Sequence, residues 1–144
     1  MATISTSPAI AELEIPMDAW TRPFWEAARE RRLVMPRCGQ CATWRWPPGP
    51  FCPCCQSQSV EWIEAGEGRI YSFTIVRDGE DVHIPALVEF PRAGGVRLLA
   101  AIVGAKPASV AIGAAVTADW VDAANARVPV FRLTRAACGI SDPP

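Results

Sequence analysis

Cys38-Gly39-Gln40-Cys41 and Cys52-Pro53-Cys54-Cys55 are the residues that decide the fold of this 144-residue chain. Each is a C-x2-C segment, and ten residues, 42 to 51, separate them. Such a segment folds into a tight turn that aims two thiolates at one point. Two of these turns joined by a hairpin make a tetrahedral cage of four sulfurs. The spacing therefore assigns Cys38, Cys41, Cys52 and Cys55 to one metal ion, zinc in the first instance. Iron is admitted by the same thiolate geometry. The competing account, ordinary thiols or a single redox pair, leaves two matched segments in one loop-rich stretch without a reason. Cys54 is the alternative to Cys55, but with Cys52 it leaves only C-x-C and a poorer turn; Cys138 stands apart near the C-terminus. Four cysteines leave no coordination position for water, so the site is structural rather than catalytic. Metal binding would supply folding free energy on the order of 10 kcal/mol.

Working outward, the spacer holds Trp44-Arg45-Trp46 and then Pro47-Pro48-Gly49-Pro50. The prolines exclude a helix or a central strand there. A module this rich in loops cannot bury much core without a staple. Upstream, residues 1–17 read as a loose tail. Thr21 is placed as a helix N-cap with Pro23 in the first turn. Phe24 to Arg32 reads as a short helix, and Leu33-Val34-Met35 as a strand leading to Cys38. Downstream the pattern changes to strands at Val60–Glu64, Ile70–Val76, Ala86–Phe90, Val96–Val103, Val116–Val121 and Val128–Leu133, with a turn at Asp78-Gly79. Val110–Ile112 reads as a helical turn ending at Gly113. Five strands from Ile70 onward suit a small closed Greek-key barrel of the OB type; a small sandwich has nearly the same periodicity. The predicted organisation is mainly β: tail 1–17, helix and ribbon 18–59, barrel 60–136 and C-terminal tail 137–144.

A hydrophobic content of 50% with 20% charged residues is ordinary for a globular chain. Fourteen prolines and ten glycines point to short elements and frequent turns. Met1 to Ile15 lacks the basic start and apolar stretch of a signal peptide. The apolar run from Leu98 to Ala118 is cut by Lys106-Pro107, so no membrane span is expected. Cytoplasmic placement follows as the expectation, and in a reducing compartment cysteines point to metal before disulfides. The net charge is −1. Between Arg22 and Arg45, however, six arginines face only Glu26 and Glu30, which puts any anion-binding surface in the first half. The single histidine, His83, is read as an incidental loop residue. Gly66-Glu67-Gly68 is a turn rather than a nucleotide fingerprint, and Asp78, Glu80 and Asp81 form a solvated loop. No nucleophile motif or phosphate loop is present, so the chain is not expected to be catalytic alone. Trp20, Trp25, Trp44, Trp46 and Trp62 are concentrated around the cysteines, as core or as aromatic anchors for a partner. Alternation puts Trp44 and Trp46 on one face.

The order of these segments resembles a known family. Phe24-Trp25 on a short helix precedes Leu33-Val34-Met35-Pro36-Arg37-Cys38-Gly39-Gln40-Cys41. A Pro47-Pro48 corner follows, then Cys52-Pro53-Cys54-Cys55-Gln56-Ser57. Gly66-Glu67-Gly68-Arg69-Ile70-Tyr71-Ser72-Phe73-Thr74, Pro85-Ala86-Leu87-Val88-Glu89-Phe90, Gly95-Val96-Arg97-Leu98-Leu99 and Ile112-Gly113-Ala114-Ala115-Val116 complete the pattern. It is similar to the acyl-CoA-associated proteins that join a rubredoxin-like zinc ribbon to an OB fold, long catalogued as a domain of unknown function. The resemblance spans about residues 20–135 and lies in the order of the signals. It implies a non-catalytic accessory subunit of a thiolase-like enzyme (thiolase, acyltransferase or retro-aldolase), forming a hetero-oligomer with acyl-CoA at or near the interface. Its metal cysteines fall on Cys38, Cys41, Cys52 and Cys55. Trp25, Arg37, Trp44, Arg45 and Trp46 are the candidate contacts for partner or CoA. One departure stands out: related ribbons often carry glycine after the second cysteine of each turn, where φ is positive, and here Ala42 and Gln56 occupy those places.

The alternative function is a nucleic-acid-binding module, since OB barrels and zinc ribbons serve that role too. Tyr71 and Phe73 alternate on the first barrel strand as stacking residues would. The barrel half is net acidic with one lysine, Lys106, so affinity for a phosphate backbone, and with it a nucleic-acid partner, is not expected.

Overall fold

The computed structural model describes residues 8–134. It contains helices α1 (Pro8–Glu12) and α2 (Arg22–Arg29). The strands are β1 (Val34–Cys38), β2 (Val60–Glu64), β3 (Gly68–Phe73), β4 (Val76–Asp78), β5 (Asp81–Phe90), β6 (Val96–Ile102), β7 (Ala115–Asp122) and β8 (Arg127–Leu133). Strands β3, β5, β6, β8 and β7 form a closed ring, because β3 pairs with both β5 and β7. All its pairings are antiparallel except β6 with β8, which meet in parallel at Ile102 and Phe131. This is the five-stranded barrel of OB type, and ring closure leaves none of the five as a free edge.

The barrel forms because its strands alternate. Along β5, Ile84, Ala86, Val88 and Phe90 are buried while His83, Pro85, Leu87 and Glu89 are only half-buried. A bulge between Ile70 and Ser72 lets β3 bend around the ring, with Tyr71 outside. Gly68 opens β3 where a side chain would collide with the interior: a Cβ there would lie 2.6 Å from Val88 Cγ1 and 3.0 Å from Phe90 Cε1.

Barrel, ribbon and helix share one core. Phe24 from α2, Leu33, Met35 from β1 and Ala65 belong to the same buried cluster as Ile70, Val88, Phe90 and Phe131. A further tie runs from the Arg127 Nη1, which donates to the Arg29 carbonyl at 2.8 Å.

Several expectations are corrected. Val60–Glu64, assigned to the barrel, pairs instead with β1 from Cys38↔Val60 to Val34↔Glu64, so the ribbon has its own sheet and includes β2. Within the tail predicted for 1–17, Pro8–Glu12 is helical. The chain after it is held by Asn125, whose Oδ1 accepts from the Ile15 amide and whose Nδ2 donates to the Ile15 carbonyl. Thr21 does stand at the N-cap position of α2, with Pro23 in the first turn, but its side chain makes no cap bond to the helix; the side-chain bonds form with Asp18 instead. Its Oδ1 accepts from the Trp20 and Thr21 amides, and Thr21 Oγ1 accepts from the Asp18 amide, a reciprocal box one turn earlier. The Thr21 amide, foremost among these contacts, holds the Asp18 carboxyl below its ordinary range. His83 lies in β5, opposite Val76, because β4 and β5 form a hairpin about Gly79. The helical turn placed at Val110–Ile112 occurs at Pro107–Ser109, where proline supplies the first φ. The C-terminal tail 137–144 and Cys138 lie outside the described residues.

The Gly68 contacts give a test of the barrel interior. Gly68→Ala should destabilise the chain by about 1–3 kcal/mol, the range for an added group in a close-packed core. Denaturant unfolding should show a lower midpoint at an unchanged slope.

Candidate metal centre

The two C-x2-C segments fold into the same turn twice. In the first, the Cys38 amide donates to the Thr43 carbonyl at 2.7 Å and the Ala42 amide to the Cys38 carbonyl at 3.0 Å. In the second, the Cys52 amide donates to the Ser57 carbonyl at 2.9 Å and the Gln56 amide to the Cys52 carbonyl at 2.9 Å. Ala42 and Gln56 close these turns with φ of 63° and 62°, the left-handed conformation that glycine would adopt without strain. Both turns thus close in the left-handed conformation with a side chain in place of glycine. Gly39 in the first turn is required for space, since a Cβ there would overlap the Ser59 side chain.

Each turn also directs amides at its first sulfur. Cys38 Sγ accepts from the Gln40 and Cys41 amides at 3.4 Å each, and Cys52 Sγ from the Cys54 amide at 3.4 Å. Donors aimed at a sulfur favour its thiolate form. The Cys41 amide, followed by that of Gln40 and by Arg45 and Cys55, pulls the Cys38 thiol down to about 6 against the cost of burial. The Cys55 amide, chiefly, lowers Cys52. At Cys55 the Ser57 amide pulls down, but burial and the thiols of Cys38, Cys41 and Cys52 together outweigh it and push the group up to about 12. Crowding of this kind is relieved by a cation.

The four sulfurs of Cys38, Cys41, Cys52 and Cys55 lie within 4.8 Å of one another, with Cys38–Cys55 and Cys41–Cys52 each 3.5 Å apart. A zinc–sulfur bond of about 2.3 Å in a regular tetrahedron needs sulfurs about 3.8 Å apart, inside that range. Three sulfurs with an open position would suit catalysis; the fourth closes the cage. Cys54 is exposed and outside the cluster.

The strand after the first turn braces the cage. Arg45 donates its amide to the Pro36 carbonyl at 2.8 Å, so Thr43–Arg45 runs beside β1 on the edge opposite β2. Alternation along this strand is as the sequence implies, but its use differs. Trp44 lies against the barrel turn at Gly94, so closely that a Cβ on Gly94 would overlap its ring. Trp46 packs on Phe24, ring centres 5.3 Å apart, and Phe24 meets Trp25 edge-on at 4.9 Å. All three tryptophans are half-buried at the margin of the shared core. Arg45 points the other way and is 4% exposed. Its Nη2 donates to the carbonyls of Ser59 at 2.6 Å and Ser57 at 3.0 Å, so the expectation of Arg45 as a contact for CoA or a partner is corrected. Arg37 lies over Trp44 at 5.6 Å and pairs with Glu61 at 2.9 Å. Two other aromatics are exposed instead: Phe51 (55%), beside the second turn, which sequence reasoning passed over, and Trp20 (47%), before α2, one of the tryptophans it named as core or anchor. Phe51 in a run of prolines carries no periodicity to mark it.

No helix among the described residues is long and apolar enough to cross a membrane. Two cavities open elsewhere. One of about 470 Å³ lies between the β4–β5 turn and the segment after β6, and one of about 410 Å³ lies where Arg31, Glu64 and Trp120 meet. Neither includes the cysteines.

Comparison with known proteins matches both halves. Residues 25–61 fit the family model of the ChsH2 rubredoxin-like zinc ribbon domain, and residues 64–121 that of the ChsH2 C-terminal OB-fold domain. The chain is 42% identical over 117 residues to a probable enoyl-CoA hydratase alpha subunit of Thermomonospora curvata, 76% of this chain and 36% of the relative. It is 31% identical over 130 residues to the 3-oxo-4,17-pregnadiene-20-carboxyl-CoA hydratase alpha subunit of Mycobacterium tuberculosis, 81% of this chain and 41% of the relative. It thus spans well under half of either. A DUF35 domain-containing scaffold protein of Methanocaldococcus jannaschii is 30% identical, with 65% of this chain and 72% of that protein covered. Among solved structures, a chain of the Ltp2-ChsH2(DUF35) aldolase superposes with a TM-score of 0.75 at 36% identity, covering 83% of this chain and 98% of that one. A DUF35 protein of unknown function from Sulfolobus solfataricus, at 18% identity and a TM-score of 0.58, shares the fold.

The purified, reduced chain should carry about one metal ion, by elemental analysis. Cys52→Ser should lose it and Cys54→Ser should keep it; the reverse would put Cys54 in the cage. Ala42→Gly should stabilise the ribbon by about 0.5–1 kcal/mol, because relief of left-handed strain of about 1–2 kcal/mol exceeds the added freedom of the unfolded chain. Chemical denaturation of the metal-loaded protein measures it.

Proposed function

The chain belongs to the DUF35 family, whose members join a zinc ribbon to an OB-fold barrel, and from that premise we propose that it is a non-catalytic accessory subunit of a thiolase-type acyl-CoA enzyme. The observation that carries this reading is the match, over 98% of its length, to a ChsH2(DUF35) chain that exists as part of an aldolase with Ltp2. Two hydratase alpha subunits named for CoA thioesters share the same segment, which supports acyl-CoA as the ligand class. A closed four-cysteine site supports a structural role for the metal, with the chemistry supplied by the other subunit. The thiolase type of that subunit is what the sequence resemblance implies.

The contact surface is argued from what the fold leaves free. Trp44 and Trp46 are engaged within the chain, so the partner-facing aromatics of the helix and ribbon are Trp20 and Phe51. Arg32 pairs with Glu64 and Glu30, Arg37 with Glu61, and Arg45 is buried. Arg22, Arg29 and Arg31 make no ion pair among the described residues and are exposed, so they are the ones available to CoA phosphates.

The nucleic-acid reading is weaker on two counts. The Tyr71 ring face is taken by Arg97 at 3.5 Å, and the barrel arginines Arg97, Arg127 and Arg132 are each paired with a carboxylate. Arg69, Arg77, Arg92 and Lys106 make no ion pair among the described residues, but the barrel half is net acidic, which opposes binding to a phosphate backbone.

Co-expression with a thiolase-fold enzyme encoded beside this chain should yield one complex in size-exclusion chromatography, with no acyl-CoA turnover by this chain alone. Separate elution with full activity of the enzyme alone would refute the proposal. Trp20→Ala or Phe51→Ala should weaken the complex by about 2 kcal/mol if that residue is an anchor. Metal content should be unchanged, and titration by surface plasmon resonance gives the affinity.

A further inference from the structure

Arg45 is the one charged residue fully buried among the described residues, and none of their ion pairs includes it. A buried guanidinium without a counter-charge costs several kcal/mol, so an unpaired one is a sign of an anion nearby. The carbonyls it binds do not supply that charge. Its Nη2 meets those of Ser57 and Ser59, and Nη1 approaches that of Gly49 at 3.4 Å. Its Nε–H is also buried and has no hydrogen-bond partner. These carbonyls place the group beside the cage. Ser57 accepts from the Cys52 amide and Ser59 from the Gly39 amide, so one nitrogen of Arg45 joins the backbone supports of both turns.

Four thiolates around a divalent ion carry a net charge of −2. We propose that Arg45 is the built-in counter-charge of the loaded metal centre: its buried guanidinium offsets half of that charge, in addition to clasping the two turns through the Ser57 and Ser59 carbonyls. This rests on the assignment of the four cysteines as ligands. It explains why the residue between two tryptophans on an otherwise apolar hairpin is arginine. An arginine keeps its charge at any pH the protein meets, so the compensation is permanent.

Two substitutions separate charge from clasp. R45K retains the charge but not the fork of donors; R45Q retains N–H donors but not the charge. Each is loaded with zinc and its release to an excess of a chromogenic chelator is timed. Each is also loaded with cobalt(II), whose thiolate-to-metal charge-transfer band reports how strongly the sulfurs are stabilised. R45Q should release zinc roughly ten-fold to a hundred-fold faster, the usual loss for an outer-shell partner, with its cobalt band moved to lower energy. R45K should stay within about three-fold of wild type with an unmoved band, since the field of the charge is kept. Equal acceleration in both variants with an unmoved band in R45Q would make Arg45 a clasp alone and overturn the proposal. So would wild-type release by R45Q. If R45Q does not accumulate, R45K decides: a displaced band or ten-fold faster release overturns the proposal, and wild-type behaviour upholds it. A wild-type chain that takes up neither ion would overturn the ligand assignment itself, a failure distinct from unaltered R45Q.

Discussion

Four sulfurs gathered within 4.8 Å are the constraint on which the rest of this chain depends. Between Cys38 and Val60 there is no regular element, and the hairpin is held by few backbone bonds and by prolines. The two turns meet because the sulfurs share one ion, and everything the hairpin presents follows from that meeting. Trp44 is delivered to the barrel turn at Gly94, Trp46 to Phe24, and Arg45 to the carbonyls of Ser57 and Ser59. Remove the ion and the turns retain their own amide–sulfur bonds, while the tie between them falls to the Arg45 clasp on the Ser57 and Ser59 carbonyls.

The ribbon is joined to the barrel through apolar contact rather than through a linker. Met35 and Leu33 precede the first turn and Ala65 follows β2, and all three are buried with Phe90 and Phe131. The metal centre therefore orders a surface as well as a loop. It fixes one end of a core whose other end is the closed ring of strands. That arrangement suits a subunit that offers a rigid face to an enzyme. A ring without free edges and a staple of four cysteines leave little freedom to lose on association.

The four cysteines, the ribbon and the barrel class were legible because their signals are local. C-x2-C pairs report a knuckle whatever surrounds them, and alternation at Ile84–Phe90 reports a half-buried strand. Boundaries were less so. Val60–Glu64 has the same alternation whether it joins the barrel or pairs with Val34–Cys38, and only the pairing partner distinguishes them. Thr21 is an ordinary cap by type, yet the reciprocal bonds with Asp18 form one turn earlier. Asn125 holds Ile15 from 110 residues away, a contact that no window of sequence contains.

The sequence by itself determined which residues could bind the metal, that the ion would be structural, and that short strands would close into a barrel. These follow from ligand chemistry, from proline and glycine, and from a period of two. Only the tertiary structure decided how Trp44, Arg45 and Trp46 are used. Alternation says that the tryptophans share a face and that arginine takes the other; it does not say which face meets solvent. Here both are covered, one by Gly94 and Phe24 and the other by the ribbon's own carbonyls, because β1 is paired on both edges and leaves that hairpin strand between core and cage.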